Sequence, residues 1–139
     1  PDDDNTITVA VVGAHLTGMP LNSQLTERDA VLLEATHTAP CYRLYALANT
    51  VPPKPGLIRN EKDGGASIPI ELWQMPLEHF GSFVGLIPAP LGIGSLETVD
   101  GRWVKGFICE PWAIDDATDI TELGGWRNYI AALNKKESL

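Results

Sequence analysis

Basic residues are scarce in this chain. Ten Lys and Arg stand against 18 Asp and Glu, a formal net charge of −8. Such a surface repels phosphate backbones and anionic lipid headgroups, so neither nucleic acid nor a membrane is expected as a partner. Long apolar runs are missing too: none approaches the roughly 20 residues that span a bilayer, and no secretory leader is read at the start. Cysteine is rare, with Cys41 and Cys109 as the two examples. Both sit in apolar stretches, so buried free thiols in a reducing, cytoplasmic setting are expected over a disulfide. No Cys-x-x-Cys, His-x-x-x-His or metal-spaced carboxylate cluster occurs. Gly13, Gly18, Gly92 and Gly94 form neither a dinucleotide fingerprint nor a P-loop, and the serines have no His/Asp setting. No metal and no organic cofactor is implied.

What is present is an ordinary globular composition, 44% hydrophobic over 139 residues, enough for one core and too little for two. The most informative stretch is Ile7-Thr8-Val9-Ala10-Val11-Val12-Gly13-Ala14-His15-Leu16-Thr17-Gly18. A β-branched run of that kind reads as a strand buried on nearly both faces. Its abrupt end in small residues is a place where backbone amides and one polar side chain project into a pocket.

The rest of the chain alternates strands with a few helices. Residues 7–15 read as a strand, and Leu21 to Asp29 as a short helical turn with Asn22 or Ser23 as cap. Residues 31–36 and 41–47 read as strands joined across Thr38-Ala39-Pro40 in antiparallel fashion. Val51 to Gly56 holds three prolines and cannot be regular. Leu57–Arg59 is a short strand before a turn at Lys62-Asp63-Gly64-Gly65, and residues 67–75 alternate like a strand with one wet face. Pro76 opens a helix whose apolar side is Leu77, Phe80, Phe83, Val84 and Ile87. Residues 88–94 read as irregular, residues 94–98 and 104–110 as a strand pair, and 121–133 as a closing amphipathic helix. Strands and helices in this order predict an α+β fold, a small and mostly antiparallel barrel or curled sheet with flanking helices. Residues 1–6 read as a linker-like tail to a domain over 7–139, so the chain is expected to be a piece of something longer.

Several blocks carry a family resemblance. Gly13-Ala14-His15-Leu16-Thr17-Gly18-Met19-Pro20-Leu21-Asn22, Ala39-Pro40-Cys41-Tyr42-Arg43-Leu44-Tyr45-Ala46-Leu47, Pro53-Lys54-Pro55-Gly56-Leu57 and Ile87-Pro88-Ala89-Pro90-Leu91-Gly92-Ile93-Gly94 resemble the C-terminal domain of allophanate hydrolases. Val104-Lys105-Gly106-Phe107 and Gly124-Gly125-Trp126-Arg127-Asn128-Tyr129 continue the likeness, which runs from about residue 7 to 133. The resemblance implies a γ-glutamyl cyclotransferase-like fold and an amidase-signature domain as partner, in cis or in trans. It also implies a role in the second step of allophanate breakdown to ammonia and CO₂, the decarboxylation of N-carboxycarbamate. The cyclotransferases themselves carry a Tyr-Gly-Ser-type turn and a catalytic glutamate after the main helix. Here the turn reads Gly13-Ala14-His15-Leu16, and Ile87 to Gly92 holds no carboxylate, so glutamate-based cyclisation is not expected.

N-carboxycarbamate is a small dianion whose loss of CO₂ is helped by a proton delivered to its nitrogen, a task for an acid titrating near neutrality. His15 fits by type and position; His37, near a polar turn, and His79, on the outer side of a helix, read as surface residues. A dianion also needs donors. The backbone of Gly13, Ala14, Leu16 and Thr17 around His15 is expected to supply amides, with Arg43 and Lys54 as cations, and Lys105 is a third candidate cation. Tyr42 and Tyr45 point to opposite faces of one strand, and Tyr45, sharing the face of Arg43, is taken for the pocket. Glu110 is a candidate to orient His15. The other reading is non-catalytic: a domain supporting assembly or stability of an amidase partner, homodimers included, with Trp112-Ala113-Ile114 and the last helix as contact surfaces.

Overall fold

The computed structural model describes residues 5–62 and 64–137. Its strands are β1 (Thr6–Val11), β2 (Val31–His37), β3 (Tyr42–Ala46), β4 (Pro55–Arg59), β5 (Pro69–Pro76), β6 (Leu91–Glu97), β7 (Trp103–Cys109) and β8 (Thr118–Asp119). The helices are α1 (Ser23–Thr26), α2 (Leu77–Gly85) and α3 (Trp126–Glu137), with short 3-10 helices at Pro111–Asp116 and Thr121–Leu123. Residues 1–4 of the expected tail, and Asp63 in the expected turn at 62–65, lie outside the described residues. Among the described residues no helix is long and apolar enough to cross a membrane, and Cys41 and Cys109 are both free thiols.

The fold is α+β. Five strands form one sheet in the order β2-β5-β1-β7-β6, and three form another in the order β4-β3-β8. β1 runs antiparallel to β5 and parallel to β7, which puts the β-branched run at the centre, where Val9, Ala10 and Val11 are buried. Neither sheet closes on itself, so of the barrel and the curled sheet it is the open form that the chain adopts. α2 lays Phe83 into the core, as its 3.6-residue pattern requires.

Four expectations are corrected. β2 and β3 do not pair: β2 is an edge strand on β5, whereas β3 lies between β4 and β8. The switch occurs at Thr38, whose buried hydroxyl accepts from the Ile68 amide at 2.9 Å and donates to the Ala39 carbonyl at 2.9 Å. Pro40 then offers no N–H to continue a ladder. β5 has no wet face: Ile70 and Leu72 are buried on one side, and Trp73 and Met75 on the other together with Glu71, which Thr17 and Arg127 cover. β6 begins inside the stretch read as irregular, since its full pairing with β7 from Leu91↔Cys109 to Glu97↔Trp103 overrides the poor strand preference of its glycines. α3 starts five residues later than read, because Gly124 (φ 84°) and Gly125 (φ 122°) adopt left-handed backbone that no helix contains.

Gly65 and Gly92 give a direct check on this packing. A Cβ on Gly65 would stand 2.5 Å from the Cys41 carbonyl carbon and the Tyr42 nitrogen, whereas one on Gly92 meets nothing within 4 Å. Gly65→Ala is expected to cost about 1–3 kcal/mol in chemical denaturation, and Gly92→Ala to stay within about 0.5 kcal/mol of the parent.

Candidate functional site

β1 stops at Val11, and the chain tightens into a turn that uses its own carbonyls. Leu16 N donates to Gly13 O at 3.0 Å, Leu21 N to Ala14 O at 2.8 Å, and the Asn22 side-chain amide to His15 O at 2.8 Å. Asn22 stands at the head of α1, yet its side chain is committed to His15 rather than to a helix cap. Of the amides expected to face an anion, Leu16 is taken by Gly13, and Thr17 donates to Glu71 at 2.9 Å. Among the described residues, the amides of Ala14 and His15 have no acceptor.

Gly13 sets the neighbourhood. A Cβ there would lie 2.2 Å from Pro55 Cδ, so only glycine lets the start of β4 press against this turn. Lys54, one residue earlier, is carried alongside His15. Its main-chain N–H donates to Thr50 Oγ1 at 2.9 Å, and its Nζ has Pro52 O at 3.5 Å. Lys54 is 9% exposed, and among the described residues no carboxylate pairs with it.

A cavity of about 220 Å³ opens where these pieces meet. Gly13, Ala14 and His15 form one side, Lys54 another, and residues from the 86–91 segment and Phe107 an apolar wall. Among the described residues, none that lines the cavity is an acid. The cavity therefore holds one cation and one histidine in a protein whose net charge is negative.

His15 is 7% exposed, stacked at 4.9 Å on Phe107 and edge-on at 5.3 Å to Phe83. Its Nε2 lies 2.6 Å from Gln24 Oε1. A carbonyl oxygen only accepts, so Nε2 carries a proton and Nδ1 holds the lone pair of the neutral ring. Burial pushes the imidazole below its ordinary value; the Gln24 contact opposes this, and the Lys54 charge adds to it. The ring is neutral near pH 7 while the cavity is empty.

The structure brings together Gly13, Ala14, His15 and Lys54. The remaining sequence candidates do not line the cavity. Leu16 points into the core, and Thr17 is turned outward onto Glu71. Arg43 sits in the other sheet, 2.7 Å from Asp119, with Tyr45 on the same strand. Tyr42 is buried and accepts the Glu97 amide at 3.0 Å. Lys105 donates to Ser95 Oγ at 3.0 Å, and Glu110 accepts from the Trp112 indole. His37 is exposed, and His79 lies 3.9 Å from Asp29. Gln24, Phe107 and the wall at 86–91 escaped the reading of the sequence. No local signal marks Gln24 as a partner of His15, because the contact depends on how α1 folds back over the turn.

A sequence profile described as the allophanate hydrolase C-terminal domain matches residues 7–131. The chain belongs to this family. It is 45% identical over 140 residues to a urea amidolyase of Saccharomyces cerevisiae, covering 99% of this chain and 8% of that protein. A crystal structure of Kluyveromyces lactis allophanate hydrolase superposes with a TM-score of 0.89 at 43% identity, covering 96% of this chain and 22% of that one. The domain thus spans a small part of both relatives. A protein specific to uropathogenic Escherichia coli matches at 33% identity and a TM-score of 0.83, and there the domain accounts for 96% of the chain. The fold is shared with an Aig2-like protein (ggact) of Mus musculus at a TM-score of 0.55 and 14% identity.

The electrostatics of His15 can be read in solution. Gln24→Leu is expected to lower the His15 pKa further, and Lys54→Met to raise it. Titration of the ring protons by NMR checks both directions; a shift of the opposite sign in either variant contradicts the arrangement.

Proposed function

We propose that this domain promotes the decarboxylation of N-carboxycarbamate, with His15 as the proton donor and Lys54 as the anchor of one carboxylate. The observation that carries the reading is the buried Lys54 ammonium, without a carboxylate partner, in an acid-free cavity beside a buried histidine. A buried cation of that kind is costly to hold unless an anion joins it. The Ala14 and His15 amides add two donors for the same anion.

The neutral imidazole of the empty cavity is matched to this task through the substrate's own charge. A negative charge beside the ring favours the imidazolium and so opposes the depression caused by burial and by Lys54. Arrival of the dianion therefore raises the His15 pKa and favours uptake of a proton by the ring. As the bond between nitrogen and the departing carboxyl carbon breaks, its electron pair goes to nitrogen and CO₂ leaves. The imidazolium passes its proton to that nitrogen. Carbamate and neutral His15 remain, and the atoms and charges balance. Gln24 holds the ring in register throughout, and the apolar wall around Phe107 favours release of uncharged CO₂ over retention of a carboxylate.

A second reading rests on a different observation. Val31, Leu32, Leu33 and Trp103 expose apolar surface on the five-stranded sheet, as a domain that supports assembly of an amidase partner would. The two readings separate in one experiment. N-carboxycarbamate is generated by an amidase domain, and CO₂ release is followed with added wild-type or variant domain. His15→Asn is expected to remove the acceleration by about 100-fold or more, and Lys54→Met to raise KM. Unchanged rates in both variants, with altered light scattering of the complex when the domain is omitted, support assembly instead.

A further inference from the structure

Glu71 is a buried carboxylate that the chemistry above leaves unused. It sits on β5, 5% exposed, and collects donors from three elements. Thr17 gives its amide at 2.9 Å and its hydroxyl at 3.0 Å to Oε1. The Trp73 indole reaches the same oxygen at 3.2 Å. Arg127 Nη2 on α3 lies 3.0 Å from Oε2 and 2.7 Å from the Thr17 carbonyl. Both the amide and the carbonyl of Thr17 are thus fixed, one by Glu71 and the other by the arginine that pairs with Glu71. Burial alone would raise this carboxyl, but the contacts from Thr17, Trp73 and Arg127 hold it below the ordinary carboxylate range, so it is ionised wherever the domain is folded near neutrality.

Thr17 is two residues from His15 and closes the same turn. Within the turn Met19 N donates to Leu16 O at 2.9 Å, spanning Thr17, but the amide and carbonyl of Thr17 itself take their partners from outside the turn, Glu71 and Arg127. We infer that Glu71 and Arg127 form a positioning clamp that ties the His15 turn to the central sheet and the last helix, and so set the burial and aim of the imidazole from outside the cavity. The clamp touches no cavity atom, since neither residue lines it. It makes α3 part of the scaffold of the site, although α3 contributes no lining residue. A carboxylate with several charge-assisted and neutral donors is rigid in a way that a single contact is not, and displacement of a catalytic group by about 1 Å costs up to about 100-fold in rate.

This inference rests on the reading of His15 as proton donor, and its test separates the two. Thr17→Val, Arg127→Met and Glu71→Gln are compared with the conservative Thr17→Ser, using the NMR titration of His15, the CO₂-release kinetics and chemical denaturation. Thr17 and Arg127 are exposed, so their variants remain folded even if Glu71→Gln does not. A loosened turn admits water to the ring, so the His15 pKa is expected to rise toward 6.5 in Thr17→Val and Arg127→Met, and to stay depressed in Thr17→Ser. In the same variants kcat is expected to fall about tenfold or more with KM changed less. A rise in pKa with no CO₂-release activity in any form of the domain sustains the clamp and overturns the decarboxylation reading. Lower stability with an unmoved His15 titration and unchanged kcat assigns Glu71 a structural role alone and overturns the clamp.

Discussion

Everything at the cavity depends on the contact between Gly13 and Pro55. The turn after β1 belongs to the five-stranded sheet and Pro55 opens β4 in the three-stranded one. They meet because a hydrogen stands where a Cβ would be 2.2 Å from the proline ring. That approach places the end of one sheet's central strand against the beginning of the other's edge strand. His15 comes from the first and Lys54 from the second. Neither sheet contains a site by itself. The cavity is the seam between them, closed by α1 through Gln24 and by the 86–91 segment.

Charge is distributed so that this seam stays cationic. The described arginines are all in ion pairs: Arg28 with Glu27, Arg43 with Asp119, Arg59 with Glu61 and Glu97, Arg102 with Glu34 and Asp100, and Arg127 with Glu71. Most of these are exposed and each is worth little to stability. Their more telling consequence is where they leave the acids, which is away from Lys54. A protein of net charge −8 repels a dianion at long range, so the attraction must be local and short. In a low-dielectric pocket a single ammonium with two free amides suffices, and screening by salt touches it less than it touches the surface.

The sequence made part of this legible. The β-branched run of β1 and a pocket-facing His15 beyond it follow from local composition, although the strand ends at Val11 rather than continuing to residue 15, and α2 follows from its apolar spacing. Lys54 was legible as a candidate because a dianion needs a cation and few are present. Arg43 was a candidate on the same ground, with Tyr45 on its face, and both lie in the other sheet, committed to Asp119 and the β3 ladder. The difference is tertiary: whether a strand faces the seam is decided by sheet order, and no local pattern encodes β2-β5-β1-β7-β6. Polar–apolar alternation in β5 suggested a wet face, when its polar member Glu71 is instead buried under donors from Thr17, Trp73 and Arg127. Apart from the Trp73 indole two residues on, the donors to this carboxylate lie 54 and 56 positions away, and local pattern does not report them. Gly13 is the same case in reverse, since a glycine in a turn reads as conformational freedom, and here it is required by a neighbour's ring.

The central claim is that an empty, neutral His15 is charged by the anion that Lys54 draws in. Isothermal titration calorimetry with malonate, an unreactive dicarboxylate carrying a methylene where N-carboxycarbamate has its nitrogen, tests it most directly when repeated in buffers of different ionisation enthalpy. The account predicts binding accompanied by net proton uptake near pH 7.5, with affinity rising as pH is lowered toward 6. Proton uptake disappears when His15 is replaced by Asn. Binding with no proton uptake in the wild-type domain, or no binding at any pH in that range, contradicts it.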